Sequence, residues 1–240
     1  MSAQSRLWQL VGLALVAVSL AYGLHAVGKG IETRASRDTV SVTGSATKRI
    51  ESDFVIWDAS VSARAAKPGD AAAQLGRWAN AVKAYLTGAG VQASELTVSP
   101  ISTDLITTDE SGNSAKAVYQ VTRSFQVRSD RLDQVVTAVE GSTKLVLQGV
   151  PLSASPLQYV YTKLADLRPG MTADATKDAI NRAHAIVDQT GQKLGNIISI
   201  DVSPFELSAP GAVQSDYGGY DTSTRTKDVR AVVNVTFAIE

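Results

Sequence analysis

The chain has 240 residues, with 23 basic and 23 acidic side chains, two histidines and no cysteine. That length allows one large domain or two small ones with ample material for a core, and the missing cysteines exclude disulfides, thiolate metal sites, iron–sulfur clusters and cysteine nucleophiles. Beyond residue 37 the acidic residues outnumber the basic ones by 22 to 19, which is no electrostatic footprint for nucleic acid, and no nucleic-acid partner is expected.

Residues Leu7–Gly28, "LWQLVGLALVAVSLAYGLHAVG", carry no charge over 22 positions. As a helix this run is about 33 Å long, enough to cross a hydrocarbon core of roughly 30 Å. Trp8 and Tyr22 fall near its ends, where amphipathic rings favour the interface. A membrane anchor is the expectation. A cleaved signal peptide is the alternative, with Ala21-Tyr22-Gly23 offering small residues at a suitable spacing. Residues 29–38 read as a polar linker, so residues 1–37 form an anchor or signal segment ahead of a domain at 38–240.

The rest of the chain reads as alternating strands and helices. Val40, Val42, Gly44 and Ala46 alternate with Thr and Ser over 39–47, and Val55, Trp57, Ala59 and Val61 line one face of 53–63; both predict strands. From Pro68 the period changes: Leu75, Trp78, Ala79, Val82, Tyr85 and Leu86 form a helical stripe ending at Gly88 or Gly90. Residues 94–108 and 117–129 read as strands flanking a polar tip, and Pro100 marks the first as an edge or bulged strand. Asp130 is placed to cap a short helix bearing Leu132, Val135, Val136 and Val139. Two more strands are expected at "KLVLQGV" (144–150) and "SPLQYVYTKL" (155–164), then a helix over 169–190 with Pro169 in its first turn. Residues 196–205 form a strand, 206–228 lack periodicity, and 229–240 alternate again.

The order predicts an α+β fold of antiparallel sheets with helices packed on one face. Residues 117–205 read as strand, helix, strand, strand, helix, strand, the ferredoxin-like arrangement, leaving 38–116 with 229–240 as a second α+β subdomain.

Candidate chemistry is sparse. "LADLRPGMTADATKDAINRA" (164–183) is the densest cluster of charge, but Ala175, Ala179 and Ala183 give it a helical apolar face suited to close approach to a sheet. Its charged positions then populate the exterior, and Arg168, just ahead of the helix, is the one residue there retained as an interaction candidate. Ser45-Ala46-Thr47-Lys48 matches the Ser-x-x-Lys nucleophile pattern, which needs a helix; in a strand the two side chains point to opposite faces. His184 shares a polar helical face with Lys177, Asn181 and Asp188, read as solvated. Tyr159 and Tyr161 alternate along a strand and suit core or subunit packing better than ligand stacking. Tyr217 and Tyr220 sit in a Gly/Tyr loop long enough to serve assembly or to be unstructured. No phosphate loop or dinucleotide fingerprint is present. No catalytic, metal-binding or cofactor-binding residues are assigned, and no cofactor.

Three stretches carry a resemblance. "VSVTGSATKRIESD" resembles an opening Val-x-Gly-x-Gly-type strand, with Ser45-Ala46 standing in the region of the second glycine. "LTGAGVQASELTVSPIST" resembles a Leu-x-x-x-Gly-Val/Ile…Leu/Ile-x-Thr stretch. "YTKLADLRPGMTADATKDAINRAHAIVDQTGQKLGNIISI" is the most specific, similar to a Tyr-Thr-x-Leu, Leu-Arg-Pro-x-Met, Ala-Thr-x-x-Ala…Leu-Gly pattern. Together they resemble the SIMPL domain family of bacterial envelope proteins. The resemblance implies export and an α+β fold; it also implies homo-oligomers, since some relatives form rings, and a link to envelope or oxidative stress. It implies no catalytic residues. The expectation is therefore a non-enzymatic, homo-oligomeric protein held at the bacterial inner membrane with its domain in the periplasm, or soluble there after cleavage. A binding module for a small molecule or cell-wall component is the second reading, and an enzyme the third.

Overall fold

The computed structural model describes residues 38–108, 116–212 and 219–240, together with Ser19. Apart from Ser19, the apolar N-terminal span lies outside the described residues, and so does Tyr217. Among the described residues, no helix is long and apolar enough to cross a membrane. The fold is α+β with antiparallel sheets, and the chain divides into two compact units, Met1–Ala46 with Thr172–Ser203 and Val232–Glu240, and Thr47–Met171 with Pro204–Ala231.

The larger unit is built on two long antiparallel strands, β2 (Phe54–Ala65) and β5 (Lys116–Ser129), in register from Val55↔Ser129 to Ala65↔Tyr119. Two short strands share the far edge of β5: β3 (Leu96–Val98) and β4 (Ser102–Thr108). Pro100 falls in the gap between them, because it has no N–H to offer a ladder. Two others, β6 (Leu152–Ala154) and β7 (Gln158–Val160), share the far edge of β2.

One face of this sheet is apolar. Trp57, Val55 and Val61 of β2 and Val121, Phe125 and Val127 of β5 are buried there. Helix α1 (Pro68–Gly88) contributes Ala71, Leu75, Ala79, Val82 and Leu86 to the same core, the spacing that keeps one helical stripe in contact. Helix α2 (Leu132–Glu140) adds Leu132, Val135 and Ala138. The opposite face carries cross-strand polar pairs, such as Ser62 with Thr122 at 2.8 Å and Asp58 accepting from Gln126 at 2.9 Å.

The smaller unit takes β8 (Leu194–Val202), β1 (Thr39–Glu51) as far as Ala46 and β10 (Thr226–Ile239) from Val232, in the sheet order β1-β10-β8. Ser41 bonds Thr236 and Thr43 bonds Asn234, so one face of this sheet is polar. The other carries buried Val42, Val233, Val235 and Phe237, and α4 (Leu164–Thr190) lies on it through Ala175 and Ala179. The alanines at four-residue spacing do serve close approach. The Asp178 carboxylate accepts the Ser45 N–H and pairs with Arg182 at 2.9 Å, and both donors hold it below its ordinary pKa.

Several expectations need correction. "KLVLQGV" is not a strand: it forms α3 (Thr143–Leu147) and a turn at Gly149, whose φ of 81° suits glycine. A short apolar run does not distinguish strand from helix, and within α3 only Leu145 is buried, with Leu147 left 83% exposed. Asp130 does not cap α2; the cap position is Arg131, and its N–H donates to Ser129 Oγ. Helix α4 begins at Leu164, not at 169, so Pro169 lies in its interior. The ferredoxin-like unit over 117–205 does not form. Strand β5 belongs to one sheet and β8 to the other, because β10 takes the position beside β8. The anticipated partner of the 38–116 segment is thus divided: β10 serves the larger unit up to Ala231 and the smaller one beyond it.

Candidate functional site

Within the larger unit, the interaction candidates gather where β7 ends and a strap at residues 219–225 crosses it. The strap is held on one side by Leu207 of β9 (Glu206–Ser208): the Leu207 N–H donates to the Gly219 carbonyl and the Asp221 N–H to the Leu207 carbonyl, at 2.8 and 2.9 Å. On its other side the Tyr159 N–H donates to the Thr222 carbonyl at 2.7 Å. The Tyr220 hydroxyl clamps the end of β7, accepting from the Tyr161 N–H at 3.0 Å and donating to the Tyr161 carbonyl at 3.2 Å. Tyr159, Tyr161 and Tyr220 are therefore brought together, through the backbone and one hydroxyl rather than by ring stacking. Arg168 is not part of this contact; its guanidinium lies over the Phe205 ring, 5.9 Å from the centroid.

Three groups absent from the sequence candidates complete the cluster. The Asp53 carboxylate accepts the Thr162 N–H at 2.7 Å and the Thr162 hydroxyl at 2.8 Å, with Lys163 at 3.6 Å. Burial works to raise its pKa, but these donors outweigh burial and lower it. Asp221 accepts from the Ser223 N–H, the Ser223 hydroxyl and the Thr224 hydroxyl. Its pKa is likewise lowered against an opposing effect of burial. Lys227 has no exposed surface; its ammonium donates to the Thr224 carbonyl and lies 4.0 Å from Asp221. Burial lowers its pKa, and Asp221 opposes the shift. One signal for Lys227 was readable: it occupies an inward position in the run Lys227, Val229, Ala231, Val233 of β10.

Chemically this arrangement is a clasp: Thr162 donates twice to Asp53, Ser223 and Thr224 donate to Asp221, and Lys227 is sealed from solvent. Ser45 and Lys48 lie three residues apart in β1, on opposite faces. His184 stands on the exposed face of α4. Among the described residues, no group of His, Asp and Glu is positioned to hold a metal ion.

The fold thus defines a two-unit α+β protein with a tyrosine-fastened strap. The SIMPL family, described as a protein of unknown function (DUF541), matches residues 40–237, and the chain belongs to that family. Comparison with curated proteins gives no match.

Proposed function

We propose that this SIMPL protein is a non-enzymatic envelope protein, tethered to the membrane through Leu7–Gly28 and acting from the periplasm by assembling with copies of itself. A part in tolerance of envelope or oxidative stress is the role the family resemblance suggests. The tether rests on the uncharged 22-residue run. Assembly rests on one observation: the core face of the β1-β10-β8 sheet is left uncovered along β8. Val202 pairs with Val233, Ile200 with Val235 and Ile197 with Phe237, so all three share the face of those buried side chains. Yet they are 50%, 47% and 45% exposed, whereas their partners are at most 2% exposed. Among the described residues β8 is also the last strand in its sheet, and its outer backbone groups have no ladder partner there.

A second copy of β8 suits this edge. The charges of residues 193–203 are Lys193 at one end and Asp201 at the other. Antiparallel self-pairing centred on Ile197 sets Lys193 opposite Asp201 twice and Leu194 opposite Ile200, while a parallel pair would align Asp201 with Asp201. The double variant Ile200→Lys/Val202→Lys tests the reading by light scattering of the full chain in detergent. Wild type is expected to be oligomeric and the variant monomeric at tens of micromolar. Unchanged mass in the variant, or a monomeric wild type, overturns it.

A further inference from the structure

Arg123 stands where β5 should place an apolar side chain. The core face of this strand carries Val121, Phe125 and Val127, each at most 1% exposed, and Arg123 occupies the remaining position of that series. It lies across the ladder from Val61, which is fully buried. The Nε of Arg123 is itself buried and has no hydrogen-bond partner. Among the described residues no carboxylate pairs with Arg123 or with nearby Lys83. A buried guanidinium donor without an acceptor carries a desolvation cost, and the charge it belongs to has no counter-ion beside it.

Local chain geometry opens a space at this arginine. Val98 of β3 pairs with Phe125 and Ser102 of β4 with Thr122, so residues 99–101 stand opposite only 123 and 124. That extra residue is a bulge, at the point where Pro100 interrupts the edge. The Ser99 N–H donates to the Ser124 carbonyl and Ser99 Oγ accepts the Ser124 N–H, both at 2.9 Å, which fixes the bulge in place. Beneath α1 lies a cavity of about 270 Å³, with Arg123, Lys83, Asn80 and Ser99 as its polar lining and Ala79, Val98 and Phe125 as its apolar one.

We infer that this cavity binds a small organic carboxylate, with the carboxylate on Arg123 and its apolar body against Val98. The two terminal guanidinium nitrogens, unlike Nε, are not buried and present paired N–H donors that a carboxylate accepts. Lys83, exposed on α1, adds a second positive charge, and no acidic side chain lines the space to repel an anion. The volume lies just under the usual range of small-molecule sites, which restricts the ligand to a compact monocarboxylate. An inorganic anion would satisfy the cations but leave the apolar wall unused.

Isothermal titration of the full chain in detergent, at constant ionic strength, tests this with sodium benzoate and inorganic phosphate as probes. Benzoate is expected to bind saturably at one site per chain, and phosphate more weakly. Arg123→Met, which keeps the length of the side chain and removes the unpaired donor, should weaken benzoate by roughly tenfold or more. Lys83→Gln, an exposed change that leaves the core untouched, should weaken it several-fold and carries the test if the arginine variant fails to fold. Absence of saturation with benzoate, phosphate binding as tight as benzoate, or benzoate affinity unchanged in Lys83→Gln and any folded Arg123→Met protein overturns the assignment.

Discussion

Gly44 shows how a single missing atom positions a helix. A Cβ built there would stand 2.1 Å from the Ala175 carbonyl oxygen and 2.4 Å from the Ala179 nitrogen, both backbone atoms of α4. Backbone cannot swing aside as a side-chain tip can, so Gly44→Ala must displace the helix from the sheet. We expect a loss of about 3 kcal/mol or more in urea unfolding. Gly76, in the middle of α1 with nothing within 4 Å of its absent Cβ, is the internal comparison; Gly76→Ala should gain about 0.5–1 kcal/mol. The sequence displays both halves of the Gly44 contact, a glycine in an alternating strand and three alanines at helical spacing. It does not display that they meet, because that depends on which helix covers which sheet. Arg123 and Lys227 are a different case: each is a charge at an inward position of a period-2 run, visible once the strand's faces are assigned.

Among the elements, the turn before β3 is tied to the β5–α2 junction by one carboxylate. Glu95 accepts from Arg131 Nε at 3.0 Å, from the Ser129 hydroxyl at 2.6 Å and from the Gln92 N–H at 2.8 Å, with a further contact to the second Arg131 nitrogen. The Arg131 bond is the main reason its pKa falls to about 2. A carboxylate held below its unfolded value stabilises the fold above the unfolded pKa, and that contribution disappears as protons bind the folded form. Wild-type stability should therefore fall between about pH 4.5 and pH 2 through this group. Glu95→Gln should cost about 2 kcal/mol at pH 7, with its gap from wild type closing over the same acid range; a gap independent of pH would refute the assignment. Elements of this size were readable where the period was long and clean, as in α1, β2 and β5. They were not where an apolar run spanned a single turn, as in α3, or where Pro169 suggested a helix start that lies further upstream.

For the whole molecule, the exposed aliphatics of β8 couple stability to concentration if two copies bury them. Any partner that binds only the folded state raises its apparent stability by mass action. The Tm of wild type should climb as protein concentration is raised tenfold, and that of the Ile200→Lys/Val202→Lys protein should stay fixed; parallel behaviour of the two would argue against assembly at this edge. Strand pairing at this scale was the least readable feature. The order of elements permitted a ferredoxin-like sheet over 117–205, but a strand's hydrogen bonds are met equally well by any partner of matching length and pattern. Here β10 takes the place beside β8, and its Val233, Val235 and Phe237 are buried there.

That choice has a temporal side. In the β1-β10-β8 sheet the middle strand is supplied by residues 232–239, which follow every other segment of their unit in chain order. A chain emerging from the ribosome or a translocation pore amino end first would present β1, α4 and β8 well before the strand that joins them. Through that interval β1 and β8 would each lack their common neighbour. The moment of greatest exposure to chaperones and proteases thus comes late, and closes within the last few residues of β10.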